Sequence, residues 1–264
     1  MKVAVISAVP TLGKTCLTEL LGGVYSRSQG RDTVIFSTGN AHDLVEMVTV
    51  ADHNEQLDNP YIVKAMIDNA DDDAKELLNY GTRAGDERVF IYDFMKMAME
   101  EDERIDFLVT AIDKVPADLT LIEICGDITS DVNTRVLQEC DCSLILVDTS
   151  RKSNRALIDL FDTLPSGKCK DNIAIIIGKA DNTIVSDKKF AEAIGLKPQQ
   201  ILRVPYNPVV GRMAYNGMLD KICYEIIFGK FEVSNLRRPM QDIMEFIFDT
   251  DKRKVVRSMD RWYK

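Results

Sequence analysis

The sequence predicts an α/β fold with a doubly wound, mostly parallel β-sheet flanked by helices. Short, continuous apolar runs alternate along the chain with segments whose apolar residues recur at helical spacing. Continuous apolar strands are typical of parallel sheets that are covered on both faces. The predicted strands are 2–8, 33–36, 88–92, 119–124, 143–147, 173–177 and 201–204.

The predicted helices connect these strands in order. The first, 16–28, has its leucine and valine residues on one helix face. Region 41–78 is predicted as helix with polar breaks, and 209–228 as one continuous helix. Gly195 is predicted to end the preceding helix by adopting a left-handed backbone conformation. The other predicted helices are 94–112, 133–139, 154–164, 186–194 and 239–248.

Composition narrows the class of protein. The 264 residues are 45% hydrophobic and 28% charged, which favours one folded domain over residues 1–264. A net charge of −9 disfavours nonspecific DNA binding by the whole surface. The six cysteines include no CxxC pair, which suits a reducing compartment. Since no secretory signal or membrane-spanning run is present, we expect a cytoplasmic protein, with peripheral contact at the inner membrane face left open.

The loop after the first strand predicts a nucleotide site. The phosphate-loop pattern GxxxxGK[ST] is placed between a strand and a helix, where backbone N–H groups cradle phosphates. The final three residues match this pattern, and Ala8 replaces the first glycine. The predicted ligand is ATP or ADP. Lys14 is predicted to reach the β- and γ-phosphates, of which ADP has only the β-phosphate, and Thr15 to hold Mg²⁺. The alternative is an ordinary turn with a solvated lysine. The predicted loop is Ala8-Val9-Pro10-Thr11-Leu12-Gly13-Lys14-Thr15, followed by Cys16.

Several segments together resemble the ParA/MinD branch of the deviant Walker (SIMIBI) P-loop ATPases. Residues 118–123 stand where that family has its Walker B strand. Cys125-Gly126-Asp127 resembles the switch loop of the related nitrogenase iron protein. Gly178-Lys179-Ala180-Asp181 resembles the base-side Asn-Lys-x-Asp segment. Residues 204–209 and 214–217 resemble the adenine-side loop and helix.

The resemblance implies a role for each matching residue. Lys14 and Asp127 are the implied catalytic residues, and the implied Mg²⁺ ligands are Thr15, Glu123 and Asp127. The implied nucleotide contacts are residues 8–16 together with Lys179, Asp181, Pro205, Tyr206 and Asn207. For Asp127 the alternative interpretation is a helix or turn cap.

Four departures from the family pattern concern hydrolysis. Val9 stands where the family has a second lysine, and residues 36–40 lack the usual aspartates. Gly178 replaces the base-side asparagine, and Glu123 replaces the Walker B aspartate. Hydrolysis needs charge stabilisation and an oriented water. We therefore expect hydrolysis that is weak, partner-dependent or absent.

The resemblance implies an ATP-dependent homodimer that positions a protein machine of a pilus, secretion, conjugation or partition system. The atypical phosphate loop is similar to those of the TadZ/CpaE proteins, which position pilus-assembly machinery. Two alternatives stay open. One is an ATP-dependent metabolic enzyme of the dethiobiotin-synthetase type, with a substrate pocket in the 42–85 insert. The other is a degenerate scaffold that no longer uses nucleotide.

The C-terminal residues 239–264 are predicted to anchor or dock the chain. Residues 252–264 contain six basic residues and one aspartate. Val255, Met259 and Trp262 share a face at helical spacing. A short basic amphipathic helix predicts weak contact with an anionic membrane, and the alternative is a last helix docked on the domain.

Overall fold

A computed structural model describes residues 1–10, 12–39, 41–48, 50–52, 64–65, 67, 69, 74–85, 88–94, 100–178, 187–229 and 232–248. The described strands are β1 (Lys2–Ser7), β2 (Thr33–Ser37), β3 (Val50–Asp52), β4 (Thr82–Ala84), β5 (Val89–Tyr92), β6 (Leu119–Glu123), β7 (Cys142–Val147), β8 (Ile173–Gly178) and β9 (Ile201–Val204). They form one sheet in the order β3-β4-β5-β2-β6-β1-β7-β8-β9. In the part of this order that runs β5-β2-β6-β1-β7-β8-β9, every pair of neighbouring strands is parallel. Strand β4 pairs antiparallel with both β3 and β5. The predicted fold class is confirmed.

Helices cover both faces of this sheet. The described α-helices are α1 (Lys14–Gln29), α2 (His42–Glu46), α3 (Glu101–Lys114), α4 (Asp131–Glu139), α5 (Arg151–Thr163), α6 (Lys168–Asp171), α7 (Asp187–Ile194), α8 (Pro208–Tyr215), α9 (Leu219–Phe228) and α10 (Arg237–Ile247). Short 3₁₀ helices occupy Ala74–Tyr80, Pro198–Gln200 and Ser234–Leu236. Among the described helices, none has both the length and the apolar character needed to cross a membrane.

The core lies in two layers because strand side chains alternate between faces. In β1, Val3 and Val5 pack with α1, α9 and α10, whereas Ala4 and Ile6 pack with α3, α4 and α5. All four side chains are buried. Burial on both faces explains why the central strands read as continuous apolar runs.

Strand register places three chain segments at one edge of the sheet. Val5 of β1 and Ser37 of β2 are both register partners of Glu123, the last residue of β6. The strands are parallel, so their carboxyl ends meet at this edge, where α/β sheets bind ligands. The loops after β1, β2 and β6 therefore converge there.

Two helix predictions were wrong in part. In its described residues, region 41–78 is helical at 42–46, 64, 65, 67 and 74–78, but β3 is a strand rather than a break in a helix. Region 209–228 is divided into α8 and α9. The break lies at Gly217, whose φ of 63° favours glycine. A Cβ atom there would lie 2.9 Å from the Glu46 carbonyl oxygen, so the close approach of α2 sets the break.

Candidate functional site

The phosphate loop joins β1 to α1 at the carboxyl edge of the sheet. Gly13 caps α1 with a φ of 86°, a left-handed conformation that glycine adopts without a steric penalty. The Ala8 N–H donates to the Leu146 carbonyl oxygen at 2.9 Å, which ties the start of the loop to β7. Thr11 lies outside the described residues. The first turn of α1, with its unpaired N–H groups, thus opens toward this edge.

Lys14 and Thr15 both contact Glu123, which lies 108 positions beyond Thr15 in the chain. Thr15 Oγ1 donates to Glu123 Oε1 at 2.8 Å, and Lys14 Nζ lies 3.5 Å from the same oxygen. Lys14 Nζ also donates to the Ile124 carbonyl oxygen and lies 3.3 Å from Cys125 Sγ. The Lys14 side chain is 15% exposed and that of Glu123 is 5% exposed. The structure therefore brings these three predicted site residues into one partly buried cluster.

The turn after β6 is held in place by Asn133 and Thr38. Asn133 is buried, and its Nδ2 donates to the carbonyl oxygens of Cys125 at 2.8 Å and Asp127 at 2.7 Å. The Cys125 N–H donates to Thr38 Oγ1 at 2.9 Å. A Cβ atom on Gly39 would lie 2.7 Å from Cys125 Cβ. The ends of β2 and β6 consequently pack as one unit beside the phosphate loop.

Asp127 is exposed at the end of this turn. Its Oδ1 accepts hydrogen bonds from the Thr129 N–H at 2.9 Å and the Thr129 hydroxyl at 2.8 Å. These two hydrogen bonds hold the pKa of Asp127 below its usual range. The carboxylate thus stabilises the turn that leads into α4. Its roles in metal binding and in orienting water stay predictions.

A cavity of about 200 Å³ opens beside the phosphate loop. Gly178, at the end of β8, forms part of its wall. Tyr206 borders it with a 64% exposed side chain. An apolar cleft with a few polar groups is the usual setting for a small-molecule ligand. The other residues at its mouth include Leu12, Gly13, Cys16, Pro205 and Val210.

Asn207 shapes the far side of the cavity through its side-chain hydrogen bonds. Its Oδ1 accepts from the Val209 N–H at 2.9 Å and caps α8. Its Nδ2 donates to the Glu232 carbonyl oxygen at 2.8 Å and to Asn235 Oδ1 at 2.9 Å. The side chain therefore fixes the loop, and contact with nucleotide stays a prediction. Lys179 and Asp181 lie outside the described residues.

Oxygen ligands for a divalent cation are adjacent at the start of α1. Mg²⁺ prefers oxygen and usually takes one or two protein groups, with water and phosphate completing its shell. The Thr15 hydroxyl and the Glu123 carboxylate supply such groups. Among the described residues, no three His, Cys, Asp or Glu side chains are grouped to hold a metal. The pair therefore fits a cation that arrives with a nucleotide.

No family model and no curated protein matches the chain, but solved structures do. It resembles a ParA family ATPase of Chlorobium tepidum TLS with a TM-score of 0.68 and 15% identity, over 94% of this chain and 98% of that one. The chain has the ParA/MinD fold. For MinD of Pyrococcus horikoshii OT3 complexed with Mg-ADP, the TM-score is 0.62 and the identity 11%, over 94% of this chain and 97% of that one. For the MinC:MinD complex of Aquifex aeolicus, the TM-score is 0.58 and the identity 13%, over 91% of this chain and 96% of that one.

Two groups that support the ParA/MinD-fold site were not predicted. The sequence predicts Asn133 on a helix but not at the site, because its hydrogen bonds reach back to carbonyl groups that no sequence pattern marks. The sequence shows Thr38 only in a segment that lacks the family's aspartates, although its hydroxyl accepts a hydrogen bond from the Cys125 N–H. A hydroxyl directly after a buried strand was the available signal for Thr38.

Glu19, one turn after Thr15 on α1, was also missed. Its side chain is buried, and Oε1 has no hydrogen-bond partner. Burial raises its pKa well above the usual range, and the nearby Glu123 and Asp220 carboxylates raise it further. On the predicted helix Glu19 lies opposite the leucine and valine face, so the sequence predicts a solvated side chain and gives no signal of its burial. The helix that presents Lys14 and Thr15 therefore also buries an acid that favours its protonated form.

Proposed function

We propose that the chain is a nucleotide-dependent switch of the ParA/MinD type. It binds ATP with Mg²⁺, dimerises in that state, and thereby positions or recruits a cellular machine. The observation that carries the proposal is the cluster of Lys14, Thr15 and Glu123 at the start of α1, with a cavity directly beside it. The structures that share the fold support it, since MinD occurs there with Mg-ADP and in complex with MinC.

Lys14 and α1 bind the phosphates in this mechanism. The unpaired N–H groups and the dipole of the first helix turn attract an anion. Lys14 Nζ exchanges its hydrogen bond to the Ile124 carbonyl for one to a phosphate oxygen. Glu123 remains beside the ammonium group and keeps it oriented.

Thr15 and Glu123 hold the cation. Thr15 Oγ1 donates a hydrogen bond to Glu123 Oε1, so the lone pairs of Oγ1 are left to face a metal ion. Bound Mg²⁺ supplies charge neutralisation at the phosphates. The apolar cavity lined by Leu12 and Pro205 would hold the base.

Hydrolysis is slow in this proposal because the groups that would speed it are few. Asp127 Oδ1 already accepts two hydrogen bonds from Thr129, which hold the side chain in the turn, so only Oδ2 is left to orient a water molecule. Val9 brings no positive charge to the loop, and β2 ends in the uncharged Ser37. A partner protein that supplies charge or reorders the turn after β6 would accelerate the reaction.

We also propose a cytoplasmic location and a protein partner from a pilus, secretion, conjugation or partition system. A net charge of −9 favours a protein partner over nonspecific DNA, whose phosphates require clustered cations. The homodimer forms on the carboxyl edge of the sheet, where bound ATP adds order to the loops.

Titration calorimetry with ATP and ADP in Mg²⁺ tests this function, with light scattering on the same samples. The wild type is expected to bind, and Lys14→Ala to lose at least about tenfold in affinity, or about 1.4 kcal/mol. Lys168→Ala is the matched control and should bind like the wild type, because Lys168 has a 76% exposed side chain and precedes β8 at the amino edge of the sheet. Light scattering should show a dimer in the samples with ATP and a monomer in those with ADP. Binding that survives Lys14→Ala, or a dimer that ignores ATP, would contradict the proposal.

The dethiobiotin-synthetase alternative requires a substrate pocket facing the phosphate loop. A cavity of about 400 Å³ does lie partly in the insert, lined in part by Lys75 and Arg88. However, its residue Asp32 directly precedes β2, at the amino edge of the sheet, whereas Lys14 follows β1 at the carboxyl edge. A five-residue strand separates these edges by about 17 Å. Phosphoryl transfer between the two places is therefore not favoured.

A further inference from the structure

The outer side of α5 carries charges of both signs in a segregated order. Its exposed cations lie in the first half of the helix and its exposed anions in the second half, with Ile158, 55% exposed, between them. The opposite side of α5 is buried, where Leu157 and Leu160 join the core. We name the exposed set the α5 face. Its charged members are Arg151, Lys152, Arg155, Asp159 and Asp162.

This order is the reverse of the one that a helix favours. The helix dipole places partial positive charge at the N-terminus and partial negative charge at the C-terminus, so anions are stabilising in the first turn and cations in the last. Helix α3, on the same face of the sheet, follows this rule, with three acidic residues in its first turn and Lys114 in its last. In α5 the first turn has no acidic residue and the last turn no basic one. The α5 face is therefore unfavourable for a chain on its own.

The charges of the α5 face also lack partners within the part of the chain that the structure describes. None of these five groups forms an ion pair with a described residue. Arg151 and Arg155 are four positions apart, a spacing at which like charges on a helix repel. A nucleic acid or an anionic membrane would neutralise the cations but would meet Asp159 and Asp162 on the same face. The surface that fits both halves has the same charges in the opposite direction.

We propose that a second copy of this chain docks on the α5 face, with the two α5 helices antiparallel about a two-fold axis beside Ile158. Arg155 and Asp162 are seven positions apart, about two helical turns, so they lie on the same side of the helix. In the antiparallel pair, Arg155 of each copy meets Asp162 of the other, because a two-fold axis repeats every contact. The two Ile158 side chains cover each other near the axis. The cationic start of each helix also lies beside the negative end of the other helix dipole.

The contact is small and needs no nucleotide. Helix α5 has 13 residues, so it is about 20 Å long and about 10 Å wide. Two such helices bury less than the roughly 1,200 Å² at which stable interfaces begin. The association is therefore weak and forms at higher protein concentration than the ATP-dependent dimer. It also weakens with added salt, because exposed ion pairs are screened.

Sedimentation equilibrium of the full-length protein without nucleotide tests the contact. The wild type should self-associate as its concentration rises. Arg155→Asp and Asp162→Arg each bring like charges together across the axis, so each should weaken association at least about tenfold. An equimolar mixture of these two variants should associate like the wild type. In the mixture the introduced carboxylate meets the introduced guanidinium, and the native Asp162 of one variant meets the native Arg155 of the other.

Lys221→Asp is the matched control. It makes the same change of charge in the first turn of α9, on the other face of the sheet, and should associate like the wild type. Each single α5 variant also removes a charge that opposes the helix dipole, so its free energy of unfolding should not fall. Lost association then reports the contact rather than misfolding.

Three results would overturn the inference. The first is a wild type that stays monomeric up to the highest soluble concentration. The second is association that either single variant leaves unchanged, and the third is a mixture that associates no better than its components. Light scattering at low protein concentration separates this inference from the proposed function, because Arg155→Asp should dimerise with ATP as the wild type does. If the wild type dimerises with ATP and Arg155→Asp does not, the α5 face belongs to the ATP-dependent interface, which also overturns the inference.

Discussion

The helix that presents the phosphate-loop lysine has no spare room at Gly23. This residue of α1 faces α9, and a Cβ atom placed on it would lie 2.4 Å from Cys223 Sγ and 3.3 Å from Cys223 Cβ. Ordinary van der Waals contacts lie at 3.4–4 Å. Gly23→Ala must therefore push the two helices apart by about 1 Å or drive Cys223 from its rotamer.

The net effect follows from two opposing terms. Overpacking of this kind costs about 1–3 kcal/mol. Alanine is a better helix former than glycine by about 1 kcal/mol. We therefore expect Gly23→Ala to lower the free energy of unfolding by about 1 kcal/mol in the wild-type background. With Cys223→Ala already present the sulfur is gone, and the same change should raise it by up to about 1 kcal/mol.

A double-mutant cycle measures this reversal of sign. Chemical denaturation under reducing conditions gives the free energy of unfolding for the wild type, both single variants and the double variant. Gly22→Ala is the matched control, because its Cβ would meet the mobile end of Ile35 at 3.2 Å, and its effect should not depend on Cys223. If Gly23→Ala has the same effect in both backgrounds within about 0.5 kcal/mol, the steric argument is refuted.

Three further predictions concern the site. Burial raises the pKa of Glu19, so its ionisation opposes folding as pH rises, and Glu19→Gln should raise the unfolding free energy at pH 8 relative to the wild type. The stability gained by Glu19→Gln should shrink as pH falls toward about 4.3, where the glutamate is increasingly protonated in the unfolded chain as well. A gain in unfolding free energy that does not change with pH in denaturation curves would contradict this prediction. Asn133→Ala removes the donors to Cys125 and Asp127 and should cost about 1–3 kcal/mol in denaturation, with weaker Mg-nucleotide binding in calorimetry. Wild-type affinity would show that the turn after β6 does not contribute to binding. Gly39→Ala would place a Cβ 2.7 Å from Cys125 Cβ and should cost about 1–3 kcal/mol, so unchanged thermal unfolding would refute that contact.

The central sheet was predictable because its signal is local. A strand buried on both faces needs an unbroken apolar run, and the predicted strand 119–124 is found as β6 (Leu119–Glu123). The glycine, lysine and threonine at the first strand-to-helix turn marked the phosphate loop for the same reason, since neighbouring residues form the whole pattern.

The sheet edge was not predictable from the same kind of signal. Strands β3 and β4 have three residues each, too few to show a period, and antiparallel pairing with their neighbours defines them. The break between α8 and α9 likewise depends on the approach of the Glu46 carbonyl to Gly217. Contacts between distant segments decided both features.

By itself the sequence determined the alternation of strands and helices and the position of the phosphate loop. The tertiary structure alone decided how the polar groups at the site are used. Thr15 reaches Glu123 only because β1 and β6 are neighbours in register, and Asp127 is occupied by Thr129 rather than turned toward Lys14. The physical reason is that apolar periodicity is read along a single segment, whereas a hydrogen bond requires two groups placed within about 3 Å by the packing of the whole sheet.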